Sequence, residues 1–158
     1  MTAPGRDTAG VIAPPPLIFL GFLAAGWAIS RWTPIPGLGL DPDLRKWLAV
    51  GLIALGLVLE MSAAGRFRKA GTNVVPWSPS TALVTDGPYR FSRNPMYVGF
   101  AVTYLALAIG LDSLAAVIGL IPCLLLINWG VIAREERYLE ARFGEPYRAY
   151  RRSVRRWL

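Results

Sequence analysis

The sequence contains no histidine and one cysteine, Cys123, in 158 residues. The first absence excludes histidine metal sites and histidine acid–base catalysis. The second excludes an intrachain disulfide, and Cys123, inside an apolar run, is expected only to pack. Charge is also sparse: Asp, Glu, Lys and Arg make up 17% of the chain, with 17 basic against 10 acidic residues. What remains is largely apolar, 54% hydrophobic with positive mean hydropathy. Composition alone fits both a compact soluble domain and a small membrane protein.

Segment length separates the two. Four apolar runs, Pro14 to Trp32, Trp47 to Gly65, Pro95 to Leu111 and Leu114 to Ala133, are each about 17–20 residues long, enough at 1.5 Å per residue to cross a hydrocarbon core of roughly 30 Å, the third only barely. Four soluble helices this poor in charge would have almost no polar faces. The sequence therefore predicts an all-α integral membrane protein with four transmembrane helices. The first run is no signal peptide by its flanks, since only Arg6 precedes it and Arg31-Trp32-Thr33-Pro34 follows it. The three residues Leu111-Asp112-Ser113 make the last two spans a tight hairpin.

Basic residues orient the bundle. Arg66 to Arg93 holds five Lys or Arg and the tail from Arg134 holds eight, whereas Arg31 to Lys46 holds three and the turn at Asp112 none. The positive-inside rule then predicts that both termini and the central loop are cytoplasmic. The expected organisation is a disordered tail 1–13, two transmembrane helices within 14–66, and a catalytic region 67–158 made of cytoplasmic loop, hairpin and amphipathic tail. Thr33 to Leu44, rich in proline and glycine, reads as a connector without chemistry.

The central loop carries the polar chemistry. Val74, Val75, Trp77, Leu83, Val84 and Tyr89 supply too many packing groups for disorder, so it is expected to fold back on the helices. Asp86-Gly87-Pro88 is a turn, Asn94 reads as a helix N-cap, and Pro95 suits a first helical position. The fourth helix has no strong breaker before Gly144, which projects Glu135 and Glu136 beyond the membrane on the side of Arg90, Arg93 and Asn94. After Pro146, Tyr147, Tyr150, Val154 and Trp157 share one helical face opposite five arginines. That pattern predicts an interfacial helix that binds anionic lipid or covers the bundle mouth, not nucleic acid. Glu60, an ionisable group near the end of the second span, is either interfacial or lines a polar site. The mouth thus gathers arginines, a carboxylate pair and tyrosines. S-adenosylmethionine calls for such an inventory, and so do ordinary topology signals and interfacial anchors.

A resemblance narrows that choice. Gly71-Thr72, Leu83 to Arg90, Ser92-Arg93-Asn94-Pro95-Met96-Tyr97-Val98-Gly99, Glu135 to Leu139 and Phe143 to Tyr150 together resemble the isoprenylcysteine carboxyl methyltransferase and phospholipid methyltransferase superfamily, including its small bacterial members. The resemblance implies an S-adenosylmethionine-dependent methyltransferase acting on a lipophilic acceptor: a carboxylate, thiol, hydroxyl or lipid amine. It implies cofactor binding by Leu83, Val84, Gly87, Tyr89, Arg90, Arg93, Asn94, Pro95, Tyr97, Glu135 and Glu136, with Arg93, Tyr97 and Glu60 as candidate catalytic residues and no metal. Membrane lipids are the expected surroundings, and a bacterial inner membrane the expected location. Asn94 stands where the eukaryotic isoprenylcysteine enzymes usually carry histidine, and asparagine cannot act as a base near neutral pH. An NADPH-dependent membrane reductase of related architecture would need more basic side chains and leaves Glu135-Glu136 without a role; a non-catalytic membrane scaffold is the remaining alternative.

Overall fold

The computed structural model describes residues 8–75 and 78–158, and these form helices and connecting segments with no strand among them. In chain order the helices are α1 (Pro15–Trp32), α2 (Pro42–Lys69), α3 (Pro95–Gly110), α4 (Leu114–Ile127), α5 (Ala133–Phe143) and α6 (Glu145–Ser153), with a 3-10 turn at Gly87–Arg90 and a π-helical segment at Asn128–Ile132 joining α4 to α5.

α2 begins five residues before the apolar run at Trp47, because Asp41 caps it. The Asp41 carboxylate accepts from the Asp43 and Leu44 N–H groups at 3.0 and 3.1 Å, and Pro42 takes the first helical position. The connector is thus shorter than its proline content suggests. α4, the π segment and α5 run on as one helical stretch, Leu114–Phe143. Gly144, at φ 61°, ends it in a conformation that glycine adopts without steric cost. α6 stops at Ser153, so Val154 to Trp157 lie outside the helical repeat expected of them.

α3 is the central element. α2 packs along it, and α1 packs against both α3 and α4. Small residues bring the helices close: a Cβ at Gly56 would meet Thr103 and the Gly99 carbonyl, and one at Gly26 would meet the Ala116 backbone. Ile18, Phe19, Leu23, Tyr104, Cys123 and Ile127 fill the core between α1, α3 and α4. A smaller cluster of Ala63, Val84 and Tyr89 seats the central loop against the end of α2.

The outer faces of these helices are apolar, with Leu17, Leu20, Val50, Val58, Met61, Ile118 and Ile121 exposed. Among the described residues, α2 and the Leu114–Phe143 stretch are long and apolar enough to cross a membrane, while α3 is apolar but shorter. Within the tail expected to be disordered, residues 8–13 are instead docked. The Ile12 N–H donates to the Gly130 carbonyl at 3.4 Å, and Arg134 donates to the Gly10 carbonyl at 2.8 Å.

Candidate functional site

One end of the bundle opens into a cleft of about 870 Å³ including its mouth. The end of α2 contributes Phe67, the start of α3 contributes Met96 and Tyr97, and α5 and α6 contribute Glu135, Glu136 and three tyrosines, Tyr138, Tyr147 and Tyr150. The central loop supplies another wall with Val74, Val75, Leu83 and Val84. Side-chain hydrogen bonds hold that loop: Thr72 accepts from the Thr81 N–H at 2.8 Å, and the Tyr138 hydroxyl accepts from the Ser80 N–H at 3.0 Å. Trp77, expected to help pack it, lies outside the described residues.

Buried charge lies at the cleft's edge. Arg93 donates to Glu136 at 2.7 Å, and their side chains are only 10% and 7% exposed. Arg156 approaches the same carboxylate from the other side, at 2.5 Å to Oε2 and 3.1 Å to Oε1. The second terminal nitrogen of Arg93 donates to the Arg151 and Val154 carbonyls at 2.8 and 3.0 Å. Its Nε is buried and has no hydrogen-bond partner among the described residues. An unpaired buried donor costs about 1–3 kcal/mol, so Arg93 retains unmet capacity for an acceptor.

The adjacent carboxylate differs. Among the described residues no cation pairs with Glu135; the Tyr97 hydroxyl donates to its Oε1 at 2.7 Å. α5 lies beyond the apolar run, which ends at Ala133. Burial pushes Glu135 up to about 7, with the Tyr97 hydrogen bond opposing and the Glu136 charge adding to the rise. Burial also works to raise Glu136, but the hydrogen bonds and charges of Arg156 and Arg93 outweigh it and hold that carboxyl below its ordinary value. Two consecutive carboxylates are thereby set in opposite directions, one poised near neutrality and one firmly ionised.

Of the residues singled out from the sequence, Leu83, Val84, Tyr89, Arg93, Asn94, Tyr97, Glu135 and Glu136 line the cleft. Gly87, Arg90, Pro95 and Glu60 are not among its lining residues. Gly87 forms the turn at φ 59°, where a Cβ would come within 2.5 Å of the Arg66 side chain. Arg90 is exposed, and Pro95 starts α3. Glu60 accepts from the Thr103 hydroxyl at 2.8 Å and clasps α2 to α3. Asn94 occupies the N-cap position, but its side chain makes no capping bond; its amide instead donates to the Arg156 carbonyl at 2.8 Å.

Sequence reasoning missed Arg156 and Asn128. Arg156 reads as one more member of a basic stripe, and no periodicity marks where α6 ends and the chain turns inward. Asn128 lies inside an apolar run, and its polar side chain there was the available signal. Its Oδ1 accepts from Arg156 at 3.1 Å and from the Trp157 indole at 3.2 Å.

Fold and cleft together define an all-α protein with apolar helices of membrane-crossing length and one polar site at the bundle's end. The phospholipid methyltransferase family profile matches residues 44–146, and the chain belongs to that family. It is 31% identical over 112 residues to protein-S-isoprenylcysteine O-methyltransferase of Schizosaccharomyces pombe, covering 67% of this chain and 46% of that protein. It is 31% identical over 100 residues to the cobalt-zinc-cadmium resistance protein CzcN of Cupriavidus metallidurans, covering 63% of this chain and 45% of that protein. An uncharacterized protein of Haemophilus influenzae is 46% identical over 63 residues, which is 40% of this chain and all of that protein. The chain thus spans less than half the length of the first two relatives.

Proposed function

We propose that the chain is an integral membrane methyltransferase that uses S-adenosylmethionine and acts on a lipophilic acceptor. The observation that carries this reading is the cleft itself, where aromatic faces, the Arg93 guanidinium and two differently charged carboxylates converge beside apolar walls. In the proposed topology the runs of α1, α2, α3 and α4 cross the membrane, α3 and α4 pair as a hairpin, and the cleft faces the cytoplasm. The distribution of basic residues supports that orientation.

The residues present fit the proposed cofactor. The Arg93 guanidinium would attract an anionic group, Glu136 or Glu135 an ammonium or hydroxyl group, and the tyrosine faces a cation. Leu83, Val84 and Met96 offer apolar contact for an aromatic ring. When bound, S-adenosylmethionine supplies an electrophilic methyl group on a sulfonium. The chain's part is to hold the acceptor in line and to keep water out, which the apolar and aromatic lining favours. A carboxylate or thiolate acceptor needs no base. An amine or hydroxyl must lose a proton, and Glu135, close to neutrality and hydrogen-bonded to Tyr97, is the cleft group best matched to receive it.

Thermal stability of the detergent-purified chain tests this reading. S-adenosylhomocysteine at 100 times its dissociation constant should stabilise the protein by about 2.7 kcal/mol. A shift with NADPH alone would overturn the methyltransferase reading in favour of a reductase, and no shift with either ligand would leave a non-catalytic scaffold.

A further inference from the structure

The segment Val154 to Trp157 leaves α6 and forms a strap along the cleft's polar edge. Its carbonyls hold it there: the Arg93 backbone N–H donates to the Arg155 carbonyl at 2.9 Å, and the Asn94 side-chain amide donates to the Arg156 carbonyl at 2.8 Å. So held, the segment aims one side chain, Arg156, between Glu136 and Asn128.

The π segment explains how a single guanidinium reaches both. Asn128 and Glu136 are eight residues apart. On an uninterrupted α-helix, at roughly 100° per residue, they would sit about 80° apart around the axis. One extra residue in a π turn takes out roughly 100° and brings them within about 20° of a common face. Asn128 therefore faces the strap, in a chain region that is otherwise apolar.

We propose that Arg156 is a positioning residue of the cleft, fixing the Glu136 carboxylate ionised beside Arg93, and that Asn128 of the π segment fixes Arg156 in turn. This rests on the reading of the cleft as a cofactor site and adds what keeps that site in its binding state. The charged and titratable groups that face Glu136 are Arg93 from the segment before α3, Arg156 from the strap, Glu135 on its own helix and Tyr147 from α6. Arg93 already bonds two carbonyls besides Glu136, so it cannot swing to replace Arg156 without releasing the strap. With Arg156 in place, Glu136 is left with a fixed direction and a fixed charge. Without it the carboxylate has one cation and is free to turn.

Two measurements on the full chain in detergent decide the matter. Isotope-edited infrared titration follows the Glu136 carboxylate, assigned by the band missing in Glu136→Gln, and calorimetry follows S-adenosylhomocysteine binding. Arg156→Ala should raise the protonation midpoint of Glu136 by about one pH unit or more, and should weaken S-adenosylhomocysteine binding at least tenfold. Arg156→Lys should recover most of the midpoint but less of the affinity, because an ammonium cannot make the paired contacts of a guanidinium. An unmoved midpoint in Arg156→Ala overturns the inference, even if affinity falls, because the strap would then be only a structural support. If the wild type binds no S-adenosylhomocysteine, the cofactor reading fails while the midpoint still decides the role of Arg156. Should Arg156→Ala not purify, Asn128→Ala carries the test. It leaves both of the arginines on Glu136 in place and is expected to raise the midpoint by a smaller amount, so a midpoint equal to wild type overturns the proposal.

Discussion

The two ends of α3 each carry a cluster of charged and hydroxyl groups, about 24 Å apart along the helix, and they are put to different uses. At the far end Asp112 pairs with Arg45 at 2.6 Å and accepts from the Leu38 N–H at 3.0 Å, with the two charged side chains 39% and 25% exposed. Beside it Ser113 caps α4 and meets Ser30 of α1 at 2.9 Å. Each of these groups has a partner, and the cluster ties the 33–41 connector and α1 to the turn before α4. At the near end the corresponding ion pair is almost dry, and among the described residues one guanidinium nitrogen has no acceptor and a second carboxylate at the cleft has no paired cation. A polar cluster in which everything is matched and half-wet works as a tie; one that is dry and left unmatched has the character the proposed binding site requires.

Breaking the near cluster should cost most. Arg93→Ala strips Glu136 of one cation and releases the Arg151 and Val154 carbonyls, so we expect a loss of about 3–5 kcal/mol, the scale for removing one member of a buried pair. Denaturation in detergent measures it, together with loss of the S-adenosylhomocysteine shift. A loss under about 1 kcal/mol would place this cluster alongside the far one and erase the contrast.

The next effect is one of pH. Folding raises the Glu135 carboxyl from 4.5 to about 7, so the folded chain keeps that proton where an unfolded chain has released it. The unfolded state then binds fewer protons, and stability contributed by this group is full below about pH 4.5 and declines as pH rises to about 7. Glu136, held low, acts in the opposite sense only at more acidic pH. Melting temperatures should therefore fall from about pH 5 to 7 in the wild type, and Glu135→Gln should flatten that slope. An equal slope in both proteins would remove the asymmetry between the two carboxylates.

The smallest effect belongs to the far end. Asp112→Asn removes a half-exposed ion pair while keeping an acceptor for Leu38, and should cost about 1 kcal/mol or less, diminishing with added salt. Binding of S-adenosylhomocysteine should be unchanged. A change in that affinity would mean that the far end reaches the cleft through α3, which a mere tie would not do.

Much of this was legible in the sequence because it rests on length and spacing. Apolar runs marked the helices, Gly144 with Pro146 marked the break between α5 and α6, and the consecutive Glu135 and Glu136 marked where charge returns. What escaped depends on contacts between residues far apart in the chain. Asn94 looks like a cap from its neighbours, yet a carbonyl 62 positions later takes its amide. The start of α2 was hidden because proline and aspartate read as loop formers until Asp41 is seen to satisfy the first N–H groups. The docking of residues 8–13 could not be read at all: small residues show no periodicity, and their partners, Gly130 and Arg134, lie on another helix. Within the cleft, chemistry-bearing residue types were visible, but not the pairing that separates Glu135 from Glu136.

The strap has a consequence for how such a chain tolerates change. Its backbone is seated on the bundle through carbonyls, those of Val154, Arg155 and Arg156. Every amino acid has a carbonyl, so most substitutions there would leave the docking intact. Insertion or deletion of a single residue between Ser153 and Arg156 would not. It would present the wrong side chain to Asn128 and Glu136 while the shifted carbonyls still accepted from Arg93 and Asn94, giving a protein that folds to the same outline with its polar edge out of register.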